Sequence, residues 1–511
     1  MRPMARESVG DLVMLKRRLT ASALWSFVEA WTYRLCHLAV FVVLARLLAP
    51  ADFGLASLAM VAVMLAQSLF VSGGCSEFLI QKRDILPADI GTVFWLQLSV
   101  ASVAMLLCLV LAPVIGPALG YPDLVPLILW FAALLPLSAL AAVPDALLRR
   151  SFAFRTLALR STFAVVVSGA CGIGLALSGF GVWSLVAFHL THKVVEVVVL
   201  WCSQPLLPLR HTASGALREA VGFGAYSSAT RLLQSLDQLI VRGTAAVISG
   251  VNAVGYLHLG RSILDETTHL LINPFSRVAM PAFAAVRTDP QRLQTVLRLT
   301  TETSALIAFP CFLGLAVTAS AWVPIVFGSH WANAVGVVQI LVLAGLTYPI
   351  GNLDVALLRG LGRVRLEATL GLAATLLLVA LMLPLAPFGA EGIACAVLVR
   401  NLLFAPVRFA AVARYAKMDR RGEAIAAARL LLLALVMAAV VAGWQRIAAP
   451  DLADEMRLVA SVGIGVAIYA ILLAAFARRP LTQLWRLVRT RQQSVIPDKT
   501  AQAAPPLASL P

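Results

Sequence analysis

Residues Ile90–Pro122 read IGTVFWLQLSVASVAMLLCLVLAPVIGPALGYP, a run without a single charge. A helix needs about 20 apolar residues to cross the hydrocarbon core of a bilayer. This stretch is long enough to span, and it is one of a series. Phe53–Ser76, Leu124–Pro144, Ser161–Phe188, Ala368–Ala390 and Leu458–Ala477 are also free of charge. Thr303–Leu353 is charge-free and long enough for two spans, with Gly328-Ser329-His330 as the turn between them. Apolar stretches that carry charges cover 20–48, 181–203, 215–242, 253–284, 391–415 and 425–447. Together they predict an all-α polytopic membrane protein with about 14 transmembrane helices joined by short connections.

Composition agrees. Of 511 residues, 60% are hydrophobic and 13% charged, and mean hydropathy is +0.89. Soluble globular chains hold roughly 45–50% apolar and about 25% charged residues. A soluble multi-domain enzyme, a disordered chain and a nucleic-acid-binding domain are therefore excluded. The net charge of +16 comes from Lys and Arg between the apolar runs, as in cytoplasmic loops that meet lipid headgroups. Assigning loops in turn places 27 basic residues on the side of both termini and four, Arg46, Arg242, Arg446 and Arg457, on the other. Such asymmetry predicts an even number of spans with both ends cytoplasmic. The first apolar segment lacks a small-residue cleavage site and does not read as a signal peptide. The seven cysteines are scattered through apolar runs and form no disulfide framework, metal knot or redox pair.

Two halves resemble one another at an offset of about 200–211 residues. Asp145–Arg155 matches Asp354–Arg365, Phe180-Gly181 matches Phe388-Gly389, Ala112-Pro113 matches Val323-Pro324, and Ala51–Gly54 matches Asn252–Gly255. Each copy holds six spans, which implies a parallel repeat about an axis along the membrane normal. The expected organisation is a basic N-tail at 1–19, an N-lobe at 20–205 and a C-lobe at 206–418. Two further helices follow at 419–478, then a disordered cytoplasmic tail at 479–511.

Lys or Arg at the bilayer centre costs about 2.5–3.5 kcal/mol on insertion scales, so such residues face a wet cavity, pair with acids or sit near helix ends. At 100° per residue, Ser26, Glu29, Tyr33, Arg34 and His37 share one face of the first span. Ser227, Arg231, Gln234, Ser235, Gln238 and Arg242 form a stripe on the seventh, with Asp237 beside it. His258, Arg261, Ser262, Asp265 and His269 form a third stripe on the eighth, bordered by Glu266. Arg261 and Asp265 are one turn apart and in pairing range. Pro274 and Pro281 are expected to bend this helix. His189, His192, Lys193 and Glu196 share a face of the sixth span, and Lys193 corresponds to Arg400 in the twelfth. The expected cavity cations are thus Arg34, Arg231, Arg261, Lys193 and Arg400. Glu29, Asp237, Asp265 and Glu266 are the candidates for carrying a coupling proton or ion. The competing reading of such stripes is helix–helix glue, and for Lys193 and Arg400 snorkelling to the interface. Arg149, Arg155, Arg359 and Arg363 read as topology signals.

There is no Walker A motif, no His-Glu-x-x-His and no Cys/His metal spacing. No cofactor or metal is expected. The longest outward loop, near 447–456, is short for a membrane glycosyltransferase or polymerase.

Leu44-Ala-Arg-Leu-Leu-Ala-Pro-Ala-Asp-Phe-Gly-Leu55 resembles the motif after the first helix of polysaccharide exporters. Ser76–Asp84 with Thr92-Val-Phe-Trp95, and Asp237-Gln-Leu-Ile-Val with Gly255-Tyr256, resemble later connections of the same family. The chain is similar over residues 20–480 to the Wzx-type oligosaccharide flippases of the multidrug/oligosaccharidyl-lipid/polysaccharide (MOP) superfamily. That resemblance implies two pseudo-symmetric lobes around a central cavity. It also implies transport of undecaprenyl-pyrophosphate-linked oligosaccharide units to the outer face of the inner membrane for lipopolysaccharide or exopolysaccharide assembly. The implied partners are the lipid-linked glycan, membrane lipids and polymerase or export machinery, not nucleic acid. Alternatives are a drug/cation antiporter on the same fold, a lipid II-type flippase, and a membrane polymerase or ligase. Periplasm-active reporters fused after Gly328 are expected to be active and those fused after Arg150 or Gly362 inactive; the reverse pattern would refute the orientation.

Overall fold

The amino-acid pattern Pro-Ala-Asp occurs twice, at 50–52 and 87–89, and each copy starts a helix. Proline at the first helical turn sacrifices an amide that has no partner there. Asp52 accepts from the Ala49 amide and Asp89 from the Leu86 amide, both at 3.0 Å. The helices so begun are α2 (Pro50–Ala66) and α4 (Pro87–Ala118). The computed structural model describes residues 31–68, 75–82, 85–151, 153–204, 214–286, 289–416, 418–447 and 453–476. Residues 1–30, including Glu29, and the tail from 477 lie outside the described residues, as does the Arg231 side chain.

The described residues are helical throughout, with no strand. Helix α1 occupies residues 31–47. After α2 come α3 (Cys75–Gln81), α4, α5 (Leu124–Ala132), α6 (Leu134–Arg150), α7 (Phe154–Leu177) and α8 (Val182–Ser203). The second half holds α9 (Ser214–Ser249), α10 (Val251–Leu271), α11 (Asn273–Ala285), α12 (Pro290–Phe327), α13 (Val335–Ala344), α14 (Tyr348–Gly360), α15 (Val364–Leu385) and α16 (Gly389–Ala416). Helices α17 (Arg421–Ile447) and α18 (Asp454–Phe476) close the chain. Among the described residues, nine helical stretches are long and apolar enough to cross a membrane. One of the nine, Arg365–Ala416, contains both α15 and α16, which pack on each other across a short turn. Helix α10 is not among them, because Arg261, Asp265 and Glu266 interrupt its apolar run.

The bend expected at Pro274 is a break: α10 stops at Leu271 and α11 starts at Asn273, whereas Pro281 lies within α11. The turn expected at Gly328-Ser329-His330 separates α12 from a short 3-10 segment, with Gly328 at φ 102°.

Membrane-type packing is clear on α4. Ala101, Ala104, Cys108 and Ala112 are buried, whereas Val103, Leu106, Val110 and Val114 are exposed. Small residues let neighbouring helices approach while large ones face lipid. Helices α17 and α18 pack on α12. A buried polar knot fastens α17. Arg420, 1% exposed, lies 2.7 Å from Asp354 of α14 and donates to both oxygens of Glu423 at 2.7 and 2.8 Å. Thr301 of α12 donates to the same Glu423 at 3.0 Å. Arg420 lies in the connection between α16 and α17 and also serves as a structural tie.

The two halves meet where α2 crosses α10. Gly54 lies against the carbonyl of Val251, and Gly255 against the carbonyl of Pro50. These reciprocal contacts join the stretches that the internal repeat aligned. A Cβ at either glycine would strike backbone, which cannot rotate away. Gly314, in α12, has open space at its Cβ position. Gly54→Ala or Gly255→Ala is expected to destabilise the protein by about 1–3 kcal/mol through overpacking, and Gly314→Ala to be neutral or stabilising by up to about 1 kcal/mol. Unfolding midpoints in detergent check this, and equal effects at the three sites would contradict the crossing.

Candidate functional site: a cationic central cavity

Beyond the Gly54–Gly255 crossing, α1, α2, α8, α9 and α10 enclose a cavity of about 390 Å³. One wall is apolar and aromatic: Phe41, Met60 and Phe188. The other carries Arg242, Arg261, Asp265, Glu266 and His269. Helix α10 supplies most of the polar wall because its polar residues recur every three or four positions. Arg261 donates to Asp265 at 2.9 Å, and the two side chains are 34% and 39% exposed. Arg34 of α1 lies 3.6 Å from Glu266, and His37 lies 3.7 Å from its other oxygen. Both contacts join the first half of the chain to the second. The Glu266 Oε2 atom is buried and accepts no hydrogen bond among the described residues. Arg242 donates to the Ser57 carbonyl at 3.0 Å, a second bridge between halves.

At the crossing end, hydrogen bonds to main-chain carbonyls tie the two halves together. Trp331 donates its indole N–H to the Ala45 carbonyl at 2.8 Å, and Arg46 donates to Val326 at 2.7 Å and to Ile325. Tyr121 donates to the Ala246 carbonyl at 3.1 Å. At the far end of α2, the Ser68 and Ser235 hydroxyls are 2.5 Å apart.

The residues expected to act together are divided. Arg34, Arg261, Asp265 and Glu266 converge on the central cavity or its wall. Lys193 does not: it donates to Glu196 at 2.7 Å. Glu196 also faces Arg160 of α7 at 3.4 Å, and Arg160 reaches Asp145 of α6 at 2.5 Å. Arg400 does not either. It pairs with Asp237 at 2.5 Å, and Thr375 donates to the same carboxylate at 2.6 Å. That group lines a second cavity of about 220 Å³ bounded by α9, α14, α15 and α16. Sequence reasoning passed over Arg160, Arg242 and Arg408 as site residues. The repeat held a signal for Arg160, since Asp145 and its counterpart Asp354 both engage buried arginines, Arg160 and Arg420.

A family model described as polysaccharide biosynthesis protein matches residues 43–336. The chain belongs to this family. Among curated relatives, the lipopolysaccharide biosynthesis protein WzxC of Escherichia coli (strain K12) is 26% identical over 68% of this chain and 71% of its own. The succinoglycan biosynthesis transport protein ExoT of Rhizobium meliloti (strain 1021) is 25% identical over 90% of this chain and 93% of its own. Among solved structures, the lipid II flippase MurJ in an inward closed conformation superposes with a TM-score of 0.72 at 13% identity, covering 89% of this chain and 99% of that one. An inward-facing multidrug resistance MATE transporter of the MOP superfamily gives 0.59 at 16% identity, over 77% and 98%. These likenesses establish the fold, that of the MurJ and MATE structures, and the long apolar helices make this a multi-pass membrane protein.

A double-mutant cycle of Arg34→Ala and Glu266→Ala is expected to show a coupling of about 1 kcal/mol in unfolding experiments, within the 0.5–3 kcal/mol range of contacting groups. Additivity would remove the pair as a link between the halves.

Proposed function

We propose that this family member is a transporter, not an enzyme. It moves an undecaprenyl-pyrophosphate-linked oligosaccharide from the cytoplasmic to the periplasmic face of the inner membrane. The observation that carries this reading is the half-buried Arg261 lining a cavity inside a membrane protein. The names of WzxC, ExoT and MurJ agree with it.

The physical problem of such cargo is specific. A polyprenyl tail is at home in lipid, but a pyrophosphate and its sugars are not, because polar groups moved into hydrocarbon lose their hydrogen bonds to water. Arg261, supported by Arg34 and Arg242, would supply charge-assisted hydrogen bonds to the anion. The carboxylates Asp265 and Glu266 then act as resident counter-ions that keep the cationic wall tolerable while no cargo is bound. Arrival of the anion displaces them, which makes either one a candidate for taking up a coupling proton. Two lobes, 20–205 and 206–418, would rock about the α2–α10 crossing, opening the cavity first to one face and then to the other. In this orientation both termini are cytoplasmic and the crossing end is periplasmic. Arg231 and Glu29 would extend the same stripes, whereas Lys193 and Arg400 serve through their own acidic partners.

A deletion strain is expected to accumulate complete lipid-linked repeat units on the cytoplasmic face of the inner membrane, detected by mass spectrometry of each leaflet. Arg261→Ala is expected to reproduce that block, with export falling at least tenfold, while the protein remains folded in the membrane. Accumulation on the periplasmic face would point to a later step such as polymerisation. Altered drug sensitivity without any trapped intermediate would favour an antiporter.

A further inference from the structure

Arg46, Arg242, Arg446 and Arg457 are the basic residues assigned to the side opposite both termini, where positive charge works against the orientation that the rest favour. Arg446 and Arg457 belong to α17 and α18, outside the repeat. The other two share a feature. Each donates to a main-chain carbonyl of the other half: Arg46 to Val326 at 2.7 Å and to Ile325, and Arg242 to Ser57 at 3.0 Å.

Arg46 meets a helix end that is short of donors. The last carbonyls of a helix have no intrahelical partner and carry the negative end of its dipole. Helix α12 stops at Phe327, where Gly328 turns the chain away at φ 102°, and Ile325 and Val326 stand in its last turn. The stretch that carries Arg46 is equally prepared. In a continuing helix the Ala45 carbonyl would take the amide of Ala49, four residues on. Asp52 takes that amide instead, at 3.0 Å. The freed Ala45 oxygen accepts from the Trp331 indole at 2.8 Å, and His330 Nε2 lies 3.1 Å from it. Phe53 packs edge-on against Trp331 with ring centroids 5.6 Å apart, and Gly54 makes the crossing. The stretch 44–55 thus turns a donor, an acceptor, a ring and a glycine toward the second half.

We propose that Arg46 is a positioning residue: with Trp331 it latches the two halves at the crossing end and sets the balance between the state described here and one open at that end. A contact present in only one of two states shifts the equilibrium by its own free energy. The two bonds suit a tie that must release. Arg46 is exposed, so its guanidinium regains water as soon as it lets go, and the net cost of the broken bond is small. The Trp331 indole is buried, so its bond holds until the halves part. This role rests on the lobe movement of the proposed transport, whereas its readout needs no cargo.

The test uses the full-length protein in lipid nanodiscs, with spin labels carried by unnatural amino acids in place of Ser178 and Asn333. Both positions are exposed. Ser178 follows α7, close to Gly181, which abuts Asp52, and Asn333 follows Trp331. Pulsed electron resonance between them reads the separation of the halves at the crossing end. The wild type is expected to show one dominant short distance. Arg46→Ala is expected to raise a longer-distance population about fivefold, the worth of one net hydrogen bond. Arg46→Lys keeps a cationic donor and is expected to restore most of the wild-type distribution. Trp331→Phe keeps a ring on Phe53 but loses the N–H, and is expected to shift the distribution as Arg46→Ala does. It decides the matter alone should Arg46→Ala fail to fold. A merely structural tie would lower the unfolding temperature without any new distance, and that result overturns the proposal, as does a wild type already spread over both distances. A distance shift in Arg46→Ala, with no trapped intermediate in the deletion strain, keeps the latch and removes the transport reading; trapped intermediates without a shift do the converse.

Discussion

The contact on which the cavity depends is backbone against backbone, where α2 crosses α10. Gly54 and Gly255 remove the side chains that would hold these helices apart. With the helices pinned there, the remainder of each lines a common space. Met60 and Met64 of α2 line it together with Arg261 and Asp265 of α10. The arrangement has the economy of a parallel repeat: one local stretch, used twice, makes both halves of its own seam. Hydrogen bonds from Trp331, Arg46 and Tyr121 to carbonyls tie the halves at the same end. All three end on main-chain oxygens, so they depend on where the helices lie and less on which side chains surround them.

Charge within the hydrocarbon is sorted by its partners. Arg420 with Asp354 and Glu423 is buried, and it ties α17 to the second half. Arg160 with Asp145 and Glu196 plays a similar part in the first half. Arg261 with Asp265 is exposed to the cavity, and Arg34 with Glu266 is long and short of hydrogen bonds. Buried pairs act as structure, since breaking one leaves an uncompensated charge. The looser, cavity-facing pairs are the ones an arriving anion can rearrange.

Much of this was legible in the chain itself. Apolar runs of about 20 residues predicted the spans because lipid admits no unpaired backbone except in helices and closed barrels. The Arg261–Asp265 pair was legible because one turn of helix separates its members. The break near Pro274 was legible as a bend, since proline lacks the amide that would continue the ladder. The grouping of Lys193 and Arg400 with the cavity cations did not hold in the structure. Their helical phase was read correctly, but phase says nothing about which neighbouring helix a face meets.

The sequence by itself determined the helices, their polar stripes and the duplication, because each of these is a local periodicity. Tertiary structure alone decided which stripe faces which. Arg400 meets Asp237 from 163 residues away, and Arg34 meets Glu266 across the two halves. Helix packing sets these outcomes through crossings such as Gly54 on Val251, and a crossing depends on two distant surfaces fitting together, which no single stretch of chain encodes.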